Sequence, residues 1–439
     1  MSNLVYSYER RGKWGVRSPG LLGLGSVSRP IPPKRDSVWS APGMPALLLL
    51  TAAGFSGYAA LLSVAPLWAV RGGADAGGSG FVNGALLLAT VLTQGLVPRL
   101  LERFGTTRVL GAGLLLLGGP SLLLLVSDQL GWILAWSIVR GVGFGILTVT
   151  GSAAVALLVP PVRHGAAIGA YGAAIAVPQL VILPASPWLA DAAGFWTVFV
   201  LGTLPLLGIA ATPRLARALH EGRHPGKEHT AAAPAPGAEA ADSPRRRRIP
   251  PGLLRPMFLL LGVTLAGGAL ITFAPQFSTV PAATSGGLVL LTATAALSRW
   301  KVGALADRFG AHRFLWPLVL CTVIGLVLAA AAIRDADATR VLLLLAAMAL
   351  VGIAYGGLQN LTLLLSLSAV RRQEYGTASA VWNIGFDAGT GLGSVLVGLL
   401  AAGFSFPTAL LVAAGLSLAT LPLAVGRGPG RRRLDPPRP

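Results

Sequence analysis

Residues Arg299 to Arg313 read RWKVGALADRFGAHR, a charged turn of the form G-x-x-x-D-R-x-G-x-H-R between two long apolar runs. A second copy, PRLLERFGTTR, spans Pro98 to Arg108. Glu102 answers to Asp307, Arg103 to Arg308, Gly105 to Gly310 and Arg108 to Arg313, each pair 205 apart (102 against 307, for example). Two such turns in equivalent places make the chain one unit written twice.

Outward from these turns the chain is apolar in both directions. Of its 439 residues 54% are hydrophobic and only 12% charged, about half the charge of an ordinary soluble domain. Apolar runs of about 20 residues, the length that crosses a hydrocarbon layer of roughly 30 Å, recur along the whole sequence. The reading is an all-α polytopic membrane protein of twelve spans. The spans are expected near 46–70, 80–98, 109–127, 130–157, 166–189 and 195–212, then 257–279, 284–302, 314–333, 340–367, 376–400 and 405–425. They form two six-helix halves, 46–212 and 257–425.

Three stretches lie outside the halves. Residues 1–45, rich in Arg, Pro, Gly and Ser, read as a disordered basic tail. Residues 213–256 hold HEGRHPGKEHTAAAPAPGAEAADSPRRRRIPP, too polar and too rich in Ala and Pro to bury a core, and read as a flexible linker. Residues 426–439 form a second basic tail. His220, His224 and His229 fall within ten residues of one another in the linker; a solvated run is the plainer reading than a metal site, and neither a metal nor a cofactor is expected. Arg245, Arg246, Arg247 and Arg248 precede the seventh span, where a basic cluster would meet anionic lipid headgroups.

The net charge of +19 raises nucleic acid as a partner, but the positions of the charges remove it. With the N-terminus inside, 29 of the 35 Lys and Arg residues fall in inner segments and three, Arg71, Arg334 and Arg340, in outer turns. That bias puts both termini in the cytoplasm of a plasma or inner membrane. The single Cys321 excludes disulfides within the chain. No G-x-x-x-x-G-K-[ST] loop is present, so this chain alone does not drive transport with ATP.

The repeat shows elsewhere too. GVGFG (141–145) aligns with GIAYG (352–356), Pro66 with Pro275, and Gly194 with Gly403. Internal repeats of this kind let transporters alternate access around a midplane site.

Two six-span halves, a long basic central loop and the G-x-x-x-D-R-x-G-x-H-R turn resemble the major facilitator superfamily over roughly residues 44–425. SIVRGVGFGILTVTGSA in the fourth span and SAVWNIGFDAGTGLGSVLVG in the eleventh carry the same resemblance. It implies secondary transport of a small organic molecule by a monomer, and not an enzyme. It also implies that the charged turns latch the inner gate in one of the alternating states. The latch residues would be Gly303, Asp307, Arg308, Gly310 and Arg313, with Glu102, Arg103, Gly105 and Arg108 in the first half. Gly303 allows close helix approach, Gly310 permits the tight reversal, and Asp307 suits a helix N-terminus.

A charge at mid-span costs roughly 2.5–3.5 kcal/mol on insertion scales, so Asp387 and Arg140 ask for roles. Asp387 lies eleven residues past Gly376, about 16 Å along a helix, and Arg140 reaches a similar depth on an opposite-running span. A carboxylate whose cationic partner changes between two conformations takes up and releases a proton. The expectation is therefore that Asp387 carries a coupling proton with Arg140 as partner or substrate ligand, and Asn383 one turn away. The alternative is that Asp387 and Asn383 are interhelical glue. Arg299 is expected to snorkel to the inner face with Lys301.

The family's cavity implies a substrate lining of Tyr58, Arg140, Gln276, Tyr355 and Gln359, suited to a neutral or weakly anionic amphipath. Export is the favoured direction. In the fifth span Pro184 matches the pattern of the family's antiporters, while Leu183, Gln179 and Ala170 stand where glycines belong. The readings from other classes are a transporter-like sensor and a polytopic membrane transferase. The transferase is disfavoured because the outer turns lack acidic or His clusters.

Overall fold

A computed structural model describes residues 41–159, 164–221, 250–278, 280–334, 339–371 and 374–426; for residues 156, 164–166, 307, 375 and 376 the backbone alone is described. The expectations for the tails, for most of the linker and for Arg245 to Arg248 lie outside these residues. Among the described residues twelve helical segments are long and apolar enough to cross a membrane. They are α1 (Met44–Arg71), α2 (Ala76–Gln94), α3 (Thr106–Leu123), α4 (Leu130–Val155), α5 (Ala167–Ala193), α6 (Phe195–Glu221), α7 (Pro251–Gln276), α8 (Pro281–Ala306), α9 (His312–Ala332), α10 (Val341–Ser368), α11 (Thr377–Gly403) and α12 (Phe406–Val425). They form two pseudo-symmetric halves, α1–α6 and α7–α12. The end carrying the two charged turns is called the basic end below, and the other the opposite end.

Local chemistry sets the edges that hydropathy alone misplaces. The α2 helix starts at Ala76 because Asp75 caps it, its Oδ1 accepting from the Gly78 N–H at 2.7 Å. The α6 helix continues through Glu221 with Leu215 and Ala216 buried, past the expected edge at 212. In α1, Pro66 has no N–H to offer the Leu62 carbonyl four residues back, and the helix breaks at Ser63. The freed Leu62 carbonyl accepts instead from Asn83 Nδ2 of α2 at 2.7 Å.

The repeat is visible at single residues. A Cβ on Gly141 would lie 2.1 Å from the Leu86 carbonyl oxygen, so α4 presses on α2 there. A Cβ on Gly352 would lie 2.3 Å from the Leu291 carbonyl oxygen, so α10 presses on α8 in the same way. The partners are again 205 apart (86 against 291).

The halves meet from the opposite end inward. There α2 lies along α11: a Cβ on Gly80 would stand 2.3 Å from the Ser394 carbonyl oxygen, and one on Gly398 2.6 Å from that of Ala76. The segment Val64–Arg71 of α1, at the opposite end, meets α7, and α5 meets α8. A buried polar chain crosses the joint. Asn83 Nδ2 also donates to Thr272 Oγ1 of α7 at 2.8 Å, and that hydroxyl is 2.7 Å from Ser394 Oγ of α11.

Candidate functional site

Asp387 is buried on α11, and its Oδ2 accepts from Gln94 Nε2 of α2 at 2.7 Å. This bond joins the two halves at mid-depth, where the glycine-lined seam of α2 and α11 ends. Gln94 also approaches Thr148 Oγ1 of α4 at 3.5 Å. The sequence reading named Asp387 and missed Gln94. The missed signal is a stripe on α2 made of Gly80, Asn83, Leu87 and Gln94, at three-, four- and seven-residue steps.

Arg140 is 1% exposed and pairs differently from the expectation. Its Nε donates to the Leu117 carbonyl at 3.3 Å and its second guanidinium nitrogen to the Gly57 carbonyl at 3.2 Å. In this conformation it ties α4 to α3 and α1, while Gln94 takes the place expected for it beside Asp387. A wall of aromatics adjoins it: Tyr58 stacks on Phe144 with centroids 4.0 Å apart and planes 5° apart, and Phe55 meets Phe144 edge-on. Tyr58 lies within electrostatic range of both Arg140 and Asp387. Asn383 is satisfied within its own helix, its Nδ2 donating to the Ser379 carbonyl at 2.9 Å.

A second cluster lies in the C-terminal half. Arg299 does not extend to the basic end; its guanidinium donates to Gln359 Oε1 of α10. The reason is local. Gly303 has no side chain, and Asn360 fills that space, a Cβ there lying 2.6 Å from Asn360 Nδ2. The same Nδ2 donates to the Arg299 carbonyl at 2.7 Å and draws α8 onto α10 at this level. Tyr355 sits one turn before Gln359, its hydroxyl near Thr390 and the Gln359 amide, with Arg299 and Asp387 within electrostatic range. Its ring faces Phe386, which stacks on Trp382. Lys301 takes no part and stands over the Trp300 ring.

Gln94 and Arg299 are repeat mates (94 against 299), as are Thr148 and Gln359 (148 against 359, the α4-to-α10 offset of 211). The two halves thus make the same α2–α4 and α8–α10 side-chain approach. One uses a neutral amide, the other a guanidinium.

The remaining expected residues fall elsewhere. Gln276 sits at the opposite end, donating to Ser79 Oγ at 3.3 Å and lining a cavity of about 810 Å³ with Arg334, Ser405 and Thr408. It is therefore apart from Tyr58, Tyr355 and Gln359. In the charged turns Gly105 and Gly310 take φ of 78° and 87°, where a side chain is strained. Arg103 stacks on Phe104 and Arg308 on Phe309, each within its own turn. Glu102, Arg108 and Arg313 are exposed. Asp307 lies in the last turn of the helix that contains α8 rather than the first turn of a helix, and its side chain is outside the described residues. Among the described residues no group of three or more His, Cys, Asp or Glu is placed to hold a metal.

The Major Facilitator Superfamily model matches residues 46–333 and 284–439. An uncharacterised MFS-type transporter of Mycobacterium tuberculosis (strain ATCC 25618 / H37Rv), Rv1250, is 32% identical over 145 residues, 33% of this chain. The match spans only 25% of that relative's length. Among solved structures, a bacterial homologue of the human lysosomal transporter Spinster, inward-facing and unoccupied, superposes with a TM-score of 0.65 at 15% identity, covering 87% of this chain and 95% of that one. The nucleoside transporter NupG does so with a TM-score of 0.61 at 14% identity, covering 88% of this chain and all of that one. These likenesses establish the fold. With the family match across nearly the whole bundle, the twelve apolar spans and the repeated halves, the chain belongs to the Major Facilitator Superfamily and is a multi-pass membrane transporter of that general kind.

Proposed function

We propose that this protein is a proton-coupled secondary transporter that exports amphipathic organic solutes across a plasma membrane, working as a monomer with both termini and the linker in the cytoplasm. The observation that carries the reading is the Gln94–Asp387 bond. It joins the halves at the level where the sealed seam stops, and its acceptor is titratable.

A charged carboxylate accepts a hydrogen bond more strongly than a neutral acid does. Ionised Asp387 therefore holds α2 against α11 and favours the conformation shut at the opposite end. Protonation weakens that hold. The difference between a charged and a neutral acceptor is about 1 kcal/mol, enough to change the ratio of the two conformations roughly fivefold. Proton binding is thereby tied to the gate without a cation touching Asp387. On positive-inside counting the basic end faces the cytoplasm in this reading, and an exported solute would load from that end while the opposite end is shut.

The test uses purified protein in liposomes that hold a pH-sensitive dye, screened against amphipathic solutes, with Asp387→Asn alongside. Solute-dependent proton flux in wild type, absent in Asp387→Asn, is the expected result. Equal flux in both would remove Asp387 from coupling. Solute uptake without proton flux would leave a uniporter, and binding without uptake a sensor.

A further inference from the structure

Arg299 is a cation that the gate does not use. It lies eleven residues before Gly310, the same count that separates Gln94 from Gly105, so it stands at the depth of the Gln94–Asp387 joint. Its repeat mate Gln94 faces the other half, which puts Arg299 on the face of α8 that looks across the molecule. Arg299 is exposed as a residue while its guanidinium packs against α10, whereas Arg140 is only 1% exposed.

Its neighbour completes an anion's requirements. Because a guanidinium only donates, the oxygen of Gln359 must face Arg299, and this fixes the amide orientation. The Gln359 Nε2 is then buried with no hydrogen bond of good geometry, the Tyr355 hydroxyl being a polar neighbour of the amide. A buried amide N–H left unpaired is costly, and an acceptor bound beside Arg299 would relieve it. The wall behind is flat and aromatic. Trp382 is held by its own N–H, which donates to Thr362 Oγ1 at 3.0 Å, and it stacks on Phe386 with centroids 5.7 Å apart and planes 24° apart.

We propose that Arg299 and Gln359 bind the carboxylate of an organic anion whose planar apolar body lies along Trp382 and Phe386. The guanidinium offers a two-pronged donor to a carboxylate, the geometry such groups bind best, and the Gln359 N–H supplies the third bond. A cationic solute would meet Arg299 as a like charge. The site names the substrate class of the transport reading above and rests on that reading.

The test is titration calorimetry on the full chain in nanodiscs with three probes sharing one body: 4-phenylbutyrate, its amide and 4-phenylbutylamine. In wild type the carboxylate is expected to bind at least about tenfold more tightly than the other two. Arg299→Gln should abolish that preference while binding of the amide persists, and Arg299→Lys should restore part of it. Calorimetry at one fixed pH reads binding and not proton flux, so this assignment and proton coupling fail separately. A preference for the amine, no binding by the carboxylate, or an Arg299→Gln variant that still prefers it would overturn the assignment. Unchanged melting temperatures in the variants separate loss of the site from loss of the fold.

Discussion

At the residue scale, Asp387 and Leu62 are acceptors that each depend on one side chain of α2. Gln94 serves the Asp387 carboxylate and Asn83 serves the Leu62 carbonyl that Pro66 leaves free. Asp387→Asn keeps an amide oxygen for Gln94 and removes the titration. It is expected to leave thermal stability within about 1 kcal/mol of wild type, the difference between a charged and a neutral acceptor. Asp387→Leu orphans the buried Gln94 amide and should cost about 1–3 kcal/mol; equal melting temperatures for the two variants would show that the bond contributes nothing. Sequence alone singles out Asp387 because a mid-span acid is rare and costly. It cannot name Gln94, because the partner lies 293 residues away and only the packed seam brings them together. The same limit explains Arg140: a guanidinium satisfied by main-chain carbonyls leaves no trace in side-chain patterns.

At the scale of elements, glycines do two different jobs. Gly356 keeps α10 on α8 inside one half, where a Cβ would come 1.9 Å from the Ala295 carbonyl oxygen. Gly80 keeps α2 on α11 across the halves. Gly356→Ala is therefore expected to lower the melting temperature, by about 1–3 kcal/mol of overpacking. Gly80→Val should leave each half intact and hold the opposite end apart. Cysteine-accessibility labelling at that end would report the separation. If Gly80→Val labels like wild type and only melts lower, the seam is not a moving joint. The twelve spans and their repeat were legible because apolar length and the 205-residue echo of the charged turn survive in one dimension. Helix edges were less so. Asp75 as a cap and the continuation of α6 to Glu221 depend on local hydrogen bonds and burial, which hydropathy does not register. Arg299 was misread for a related reason: its snorkelling distance is right, but the contact of Asn360 with Gly303 sets α8 against α10 and puts Gln359 within its reach.

At the scale of the whole molecule, two halves sealed at one end and joined at mid-depth by a titratable bond form a proton-responsive rocker. Protons and the opposite-end-open conformation should favour each other, because the ionised carboxylate is the better acceptor for Gln94. The direct measurement is pulsed electron paramagnetic resonance on spin-label pairs in nanodiscs, with Cys321 replaced by Ala. One pair, Gln129→Cys with Phe404→Cys, spans the opposite end; the other, Thr107→Cys with His312→Cys, spans the basic end. The expected result is a long-distance population at the opposite end that grows on acidification while the basic-end distance shortens, with both responses lost in Asp387→Asn. Distances that ignore pH in wild type, or that respond to it equally in Asp387→Asn, would contradict a gate set by the Gln94–Asp387 bond.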